Sequence, residues 1–316
     1  MLIETVKLWP DRADVELTIF VTPAKPPISC GKRPAVIICP GGAYETCNRH
    51  SEEGDPVAMS FAMDGYQAFV LEYSITSRAP EGKTIYPAML LDYGKAILTI
   101  REHAEEWNVD TENISILGFS AGGHLCGMIA TSWNNGILSK HFGTEPEIFK
   151  PLCAMLVYPV ADFVAQEEFR KALDNPTMST INMNRAWFGK EDPAEEELAA
   201  ASPARIITED CPPVFLAGAQ NDGLVDPLCT LNMALALQKA HVPYELHMYE
   251  YGDHGFGLGR NLSEPWREDK NYTAATWIGA AKTFLLHQYA PETAELERNP
   301  FAMFDFESHS PFKGCR

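Results

Sequence analysis

The stretch SILGFSAGGHLCG, Ser115 to Gly127, begins as an apolar strand and ends as a helix. Ser120 stands at the junction, between Gly118 and Gly122, in the pattern G-x-S-x-G. That spacing has a steric logic. A chain that passes from strand to helix across one residue brings its two arms together, so any side chain at the glycine positions meets adjacent backbone. The serine is lifted to the start of the helix, where unpaired amides and the helix dipole favour developing negative charge. Glycines alone permit any tight turn. The strand before and the helix after make a nucleophile the better reading of Ser120.

Outward from this junction, apolar β-branched runs alternate with helical patterns. TVKLW and VELTIFV read as an opening antiparallel pair. AVIICP, QAFVLEY, ISILGFS, LCAMLVYPV, PVFLAGA and YELHMYE follow as buried strands. Helices are expected at Pro56–Asp64, Tyr86–Trp107, Ala121–Trp133, Leu228–Ala240 and Tyr272–His287; in the second, Met89, Tyr93, Ala96, Ile97 and Ile100 recur at helical spacing. Such alternation predicts a mostly parallel sheet of about eight strands with helices on both faces. Active residues then belong on loops beyond the carboxyl ends of the strands. Residues 163–201 break the rhythm with dense charge and read as a small cap insertion in a single domain spanning 1–316; residues 289–316 read as a C-terminal extension.

A hydroxyl is a poor nucleophile until a base takes its proton. PVFLAGA runs into QNDGLVDP, which places Asp222 just past a strand end, and YELHMYE runs into YGDHGFG, which places His254 past the next. Both loops are glycine-rich, and the chain order of serine, acid and histidine suits a strand–helix fold of this kind. Asp226 and Asp162 are rival acids. His247 lies within a strand and reads as a packed or edge residue, while His124 reads as a hydrogen-bonded core histidine. VIICPGGAY ends a further strand in a glycine pair. Backbone amides converge on one oxygen only where side chains do not intervene, so this loop and the Ala121 amide form a candidate site for an oxyanion.

The formal net charge of −18 opposes nucleic acid and anionic membranes as partners. The first twenty residues lack a basic segment followed by an apolar one, and no apolar run reaches membrane-spanning length. The 8 cysteines include no C-x-x-C pair, which argues against zinc and points to a reducing cytoplasm. His241, Glu245 and His247 cluster in sequence, but a strand divides them between two faces, so they read as solvated edge residues. No metal and no organic cofactor is expected.

Taken together, CPGGAY, EGDPVA, GFSAGGHL, SPARIITEDCPPVFLAGAQNDGLVD and YGDHGFGLG resemble the α/β-hydrolases. More narrowly, they resemble the bacterial acetylxylan esterase-like and acetyl esterase group, related to hormone-sensitive lipase and to prolyl oligopeptidase catalytic domains. The resemblance covers roughly Pro34 to His287. It implies Ser120 as nucleophile, Asp222 as orienting acid, His254 as general base, and Gly42, Ala43 and Ala121 as oxyanion donors. Tyr44 and Trp187 are expected to contact substrate. Two departures stand out: Pro40 replaces the histidine that often opens the glycine loop, and Asp226 adds a second carboxylate near the acid. The expected activity is removal of short acyl groups, acetyl foremost, from a small carbohydrate ester. A peptidase or amidase, an arylformamidase and a non-catalytic binding protein are the alternatives. A homo-oligomer is compatible with the sequence.

Overall fold

Strand β3 (Arg33–Cys39) is buried along nearly its whole length, and its alternate side chains enter two separate cores. Ala35, Ile37 and Cys39 face one, Val36 and Ile38 the other. A strand covered on both sides reads as a continuous apolar run, which is why VIIC carries no polar alternation. The computed structural model describes residues 1–23, 31–78, 85–173, 178–259 and 273–293.

Among these residues eight strands form one sheet. They are β1 (Leu2–Trp9), β2 (Arg12–Val21), β3, β4 (Gln67–Glu72), β5 (Val109–Phe119), β6 (Ala154–Val157), β7 (Val214–Ala219) and β8 (Tyr244–Tyr249). Their spatial order is β1-β2-β4-β3-β5-β6-β7-β8. β1 and β2 pair antiparallel, β2 meets β4 antiparallel, and every later pairing is parallel. Helices α1 (Asp55–Met63) and α10 (Trp277–Tyr289) cover one face through Phe61, Trp277 and Phe284. Helices α2 (Ala88–Glu102), α3 (Ser120–Ser132) and α9 (Pro227–Lys239) cover the other through Tyr93, Leu125 and Met233. Complete burial of a leucine or phenylalanine side chain contributes roughly 1.5–3 kcal/mol, so the two cores hold the sheet rigid beneath its loops.

The opening antiparallel pair and the five long helices lie where the sequence places them, with shifted ends. The second helix starts at Ala88, with Pro87 as its N-cap, and stops at Glu102 rather than Trp107. The chain then turns through Asn108, whose φ of +55° is incompatible with helix. The fifth begins at Trp277, after a short 3-10 turn at Ala274–Thr276; its expected start, Tyr272, lies outside the described residues. Two short helices, α4 (Ile137–Phe142) and α8 (Pro203–Ile206), are additional. Within 163–201 the described chain folds into α5 (Phe163–Ala172), α6 (Ser179–Phe188) and α7 (Glu195–Ala200), with 174–177 outside the described residues. Most of the expected extension, from residue 294 on, also lies outside them. No helix of the described residues is long and apolar enough to cross a membrane.

Candidate active site

β5 ends at Phe119 and α3 begins at Ser120, which has a φ of +51°. A non-glycine residue in that region costs about 1–3 kcal/mol and persists only where its surroundings enforce it. The surroundings here are backbone. A Cβ on Gly118 would lie 2.2 Å from the Gly122 oxygen, and one on Gly122 would lie 2.1 Å from the Cys39 oxygen. Both glycines are therefore required by close packing of β3, β5 and α3.

Ser120 is 8% exposed, and its Oγ lies 2.9 Å from His254 Nε2. His254 Nδ1 lies 2.8 Å from Asp222 Oδ2. A carboxylate facing Nδ1 fixes the tautomer: Nδ1–H donates to Asp222, and Nε2 is left to accept from the serine hydroxyl. Asp222 is itself held, because its Oδ1 accepts the Leu224 and Val225 amides, each at 2.9 Å. The loops after β7 and β8 are tied together by Asn221, whose Oδ1 accepts the Gly252 and Asp253 amides at 2.9 and 3.0 Å. The three residues form one hydrogen-bonded run, an arrangement able to draw a proton from a hydroxyl onto an imidazole.

The rival groups are engaged elsewhere. Asp226 caps α9, accepting the Leu228 amide at 2.9 Å. Burial, opposed by that amide and reinforced by Asp162 and Asp222, pushes its pKa up. Asp162 caps α5, and its carboxylate also holds Arg205 at 2.7 Å and Asn232 at 2.9 Å. His247 stacks on Phe215 and bonds Glu245 at 2.6 Å; two residues apart on β8, the pair shares one face of the strand rather than being divided between two as expected. His124 is fully buried. Its Nε2–H donates to the Ala201 carbonyl at 2.8 Å, and its Nδ1 accepts the Tyr44 hydroxyl at 2.7 Å. Burial, partly offset by the Ala201 bond, pulls its pKa down to about 4.

The glycine loop after β3 carries three successive residues at positive φ: Gly42 at +126°, Ala43 at +53° and Tyr44 at +58°. The Gly42 carbonyl accepts the Glu45 and Thr46 amides, each at 2.9 Å, closing the loop. The Tyr73 hydroxyl donates to the Pro40 carbonyl at 2.5 Å. Ala121 lies in the first turn of α3, where amides have no carbonyl a turn earlier to bond. The Gly41 amide is already taken, by Glu53 Oε2 at 2.7 Å.

Both expected substrate contacts turn inward. Tyr44 is fully buried, because its left-handed backbone turns the ring inward against Tyr73, His124 and Trp187. Trp187 is 6% exposed and packs on Tyr86 and His124, with ring centroids 4.5 and 4.7 Å away. Tyr44 is thus closed off as a contact surface, while Trp187 leaves only a narrow edge exposed. Sequence reasoning missed Glu53, Tyr158 and Asn221. Tyr158 had a signal, being the residue just past β6, and Glu53 opens the EGDPVA motif, which gives it no partner. Among the described residues no group of three or more His, Cys, Asp or Glu side chains is placed to hold a metal ion.

A model of the BD-FAE family matches residues 24–237. This chain belongs to the BD-FAE family. The matched segment holds Ser120 and Asp222 and stops short of His254. The chain is 29% identical over 232 residues to endo-1,4-beta-xylanase B of Butyrivibrio fibrisolvens, covering 73% of this chain and 33% of that protein. It is 28% identical over 229 residues to acetylxylan esterase of Xylanibacter ruminicola, covering 71% and 41%. It thus spans about a third to two fifths of the length of those relatives. Among solved structures, the acetyl ester-xyloside bifunctional hydrolase from Caldicellulosiruptor lactoaceticus aligns with a TM-score of 0.69 at 27% identity, covering 89% of this chain and 94% of that one. The carboxylesterase Cest-2923 of Lactobacillus plantarum aligns with a TM-score of 0.75 at 22% identity. The BD-FAE chain therefore has the α/β-hydrolase fold, as its motifs imply, and its named relatives are hydrolases and esterases.

Proposed function

We propose that this chain is a serine esterase that removes short acyl groups, acetyl foremost, from a carbohydrate ester such as an acetylated xylo-oligosaccharide. The single observation that carries the reading is the Ser120–His254–Asp222 run, with links of 2.9 and 2.8 Å. The names of the relatives support the substrate class.

In the proposed reaction Ser120 Oγ attacks the ester carbonyl carbon while His254 Nε2 takes its proton, and Asp222 stabilises the imidazolium. The carbonyl oxygen becomes an oxyanion facing the amides of Gly42, Ala43 and Ala121. Collapse breaks the bond to the alcohol oxygen, which leaves with the proton from His254. Water then attacks the acyl-serine by the same relay, releasing the acid and restoring Ser120. We assign residues 163–201 as the cap over this site. Its side chains Phe163, Met183 and Trp187 are spent on packing into the core, and the buried Glu167 holds Arg170 and Lys171 in ion pairs. With these apolar side chains committed to packing, a short acyl group suits the cap better than a long one. The six free, buried cysteines among the described residues fit a reducing compartment.

The test is turnover on acetylated xylo-oligosaccharides and nitrophenyl acetate by the parent and by Ser120→Ala. Loss on the order of 10⁶ in kcat is expected, the scale seen when such a nucleophile is removed. Hydrolysis of nitrophenyl acetate without hydrolysis of the sugar esters would keep the esterase and remove the carbohydrate.

A further inference from the structure

Three loops around Ser120 are joined by a side chain that the proposed proton relay does not use. The Glu53 carboxylate, in the turn before α1, accepts the Gly41 amide on Oε2 at 2.7 Å and the Tyr158 hydroxyl on Oε1 at 2.8 Å. The Tyr158 oxygen accepts the Gly257 amide at 3.2 Å. Its ring stands edge-on to the His254 imidazole, with centroids 5.0 Å apart. A Cβ on Gly41 would lie 2.8 Å from Glu53 Oε2 and 2.9 Å from Ser120 Cβ, so carboxylate, loop and nucleophile are stacked without a gap.

Electrostatics alone makes a carboxylate a poor neighbour for a forming oxyanion. Its geometry offers a different service. Gly41 is buried and immediately precedes the two residues whose amides face the proposed oxyanion. The Gly41 N–H and the Pro40 carbonyl belong to one peptide plane, so pinning both fixes the plane just before Gly42, where φ is +126° and no side chain restrains the backbone. The loop lacks an imidazole to brace it, since residue 40 is proline. Glu53 supplies a brace on the amide side, and Tyr73 holds the Pro40 carbonyl. Through Tyr158 the same carboxylate reaches the loop that carries His254.

We infer that Glu53 is a positioning residue, which aligns the Gly42 and Ala43 amides with Ser120 and, through Tyr158, steadies His254. This inference rests on the proposed serine-esterase reading. Glu53→Ala is expected to lower kcat by about 10- to 100-fold with little change in KM, somewhat less than deletion of an oxyanion donor itself. Glu53→Gln should restore most of the rate, because its amide oxygen accepts from Gly41 and its amide nitrogen donates to the Tyr158 oxygen. Affinity for a trifluoromethyl ketone, which forms a tetrahedral adduct with an anionic oxygen, should fall in Glu53→Ala by the factor seen in kcat/KM. Tyr158→Phe should slow the parent but add little to Glu53→Ala, a comparison that also serves if one single variant folds poorly. A kcat within about twofold of the parent with ketone affinity unchanged, or a loss that Glu53→Gln does not relieve, overturns the inference. Retained turnover in Ser120→Ala would instead overturn the reading beneath it.

Discussion

At the scale of single residues, the arrangement turns on which carboxylate faces His254 and on one strained serine. Asp222 presents Oδ2 to the imidazole while two amides occupy its other oxygen. Asp222→Asn is therefore expected to cost on the order of 10⁴ in kcat, because an amide facing Nδ1 imposes the wrong tautomer. Asp226→Asn should change kcat little, since that carboxylate faces the Leu228 amide at the start of α9. Side-by-side kinetics decide it, and the reverse order would move the acid to Asp226. Ser120 carries a cost that catalysis hides, its φ of +51°. In thermal unfolding Ser120→Gly should exceed Ser120→Ala by ~1 kcal/mol, because glycine adopts that backbone freely. Equal stabilities would remove the claim of strain. Ser120, Asp222 and His254 were legible because each sits just past a strand end, beside glycine. Tyr44 was misread for a related reason: it follows two glycines, but its positive φ sends the ring into the core. Glu53 stood in the EGDPVA motif without a role, because its partners Gly41 and Tyr158 meet it only through the fold.

At the scale of elements, α3 meets the end of β3 and its following loop so closely that one glycine and one histidine govern the contact. Gly122→Ala places a methyl group 2.1 Å from the Cys39 oxygen and 2.4 Å from the Pro40 oxygen, both backbone atoms that cannot rotate away. Overpacking of this sort costs about 1–3 kcal/mol. It should also displace the glycine loop, so activity is expected to fall further than stability alone explains; full activity at reduced stability would contradict that. His124 ties α3 to Tyr44 and to Ala201 in neutral form. Its pKa is lowered to about 4 in the fold from the ordinary 6.5, so its contribution is complete above about 6.5 and is lost as pH falls towards 4. The slope is bounded by one proton, about 1.4 kcal/mol per pH unit. His124→Gln should show a shallower fall in urea midpoint between pH 6.5 and 4, and an identical slope would sink the argument. The elements themselves were legible from periodicity, but their ends were not. Nothing in the 3.6-residue pattern marks where Asn108 reverses the chain, or that Pro87 caps α2 rather than extends it.

At the scale of the whole molecule, the sheet order and the two cores place the ends of β3, β5, β6, β7 and β8 in one row, and Ser120, Asp222 and His254 stand beyond the ends of β5, β7 and β8. That order was foreseeable as a mostly parallel sheet because strands and helices alternate along the chain. Which aromatic residues would face the site was not, because the charged pattern of 163–201 does not reveal which side of α6 packs inward. The packing of Met183 and Trp187 leads to a prediction about acyl length: kcat/KM should fall from nitrophenyl acetate through butyrate to octanoate. Each methylene would add about 0.8 kcal/mol of binding if an apolar channel received it, so a rise toward octanoate would show that such a channel exists. The central claim is that Ser120 carries the acyl group. Nitrophenyl acetate mixed with the enzyme, quenched in acid within the first turnover and mapped by peptide mass spectrometry, tests it directly. One acetyl group on the peptide containing Ser120, absent from Ser120→Ala, is the predicted result; a released burst with the acetyl group on another residue, or undiminished turnover by Ser120→Ala, would contradict it.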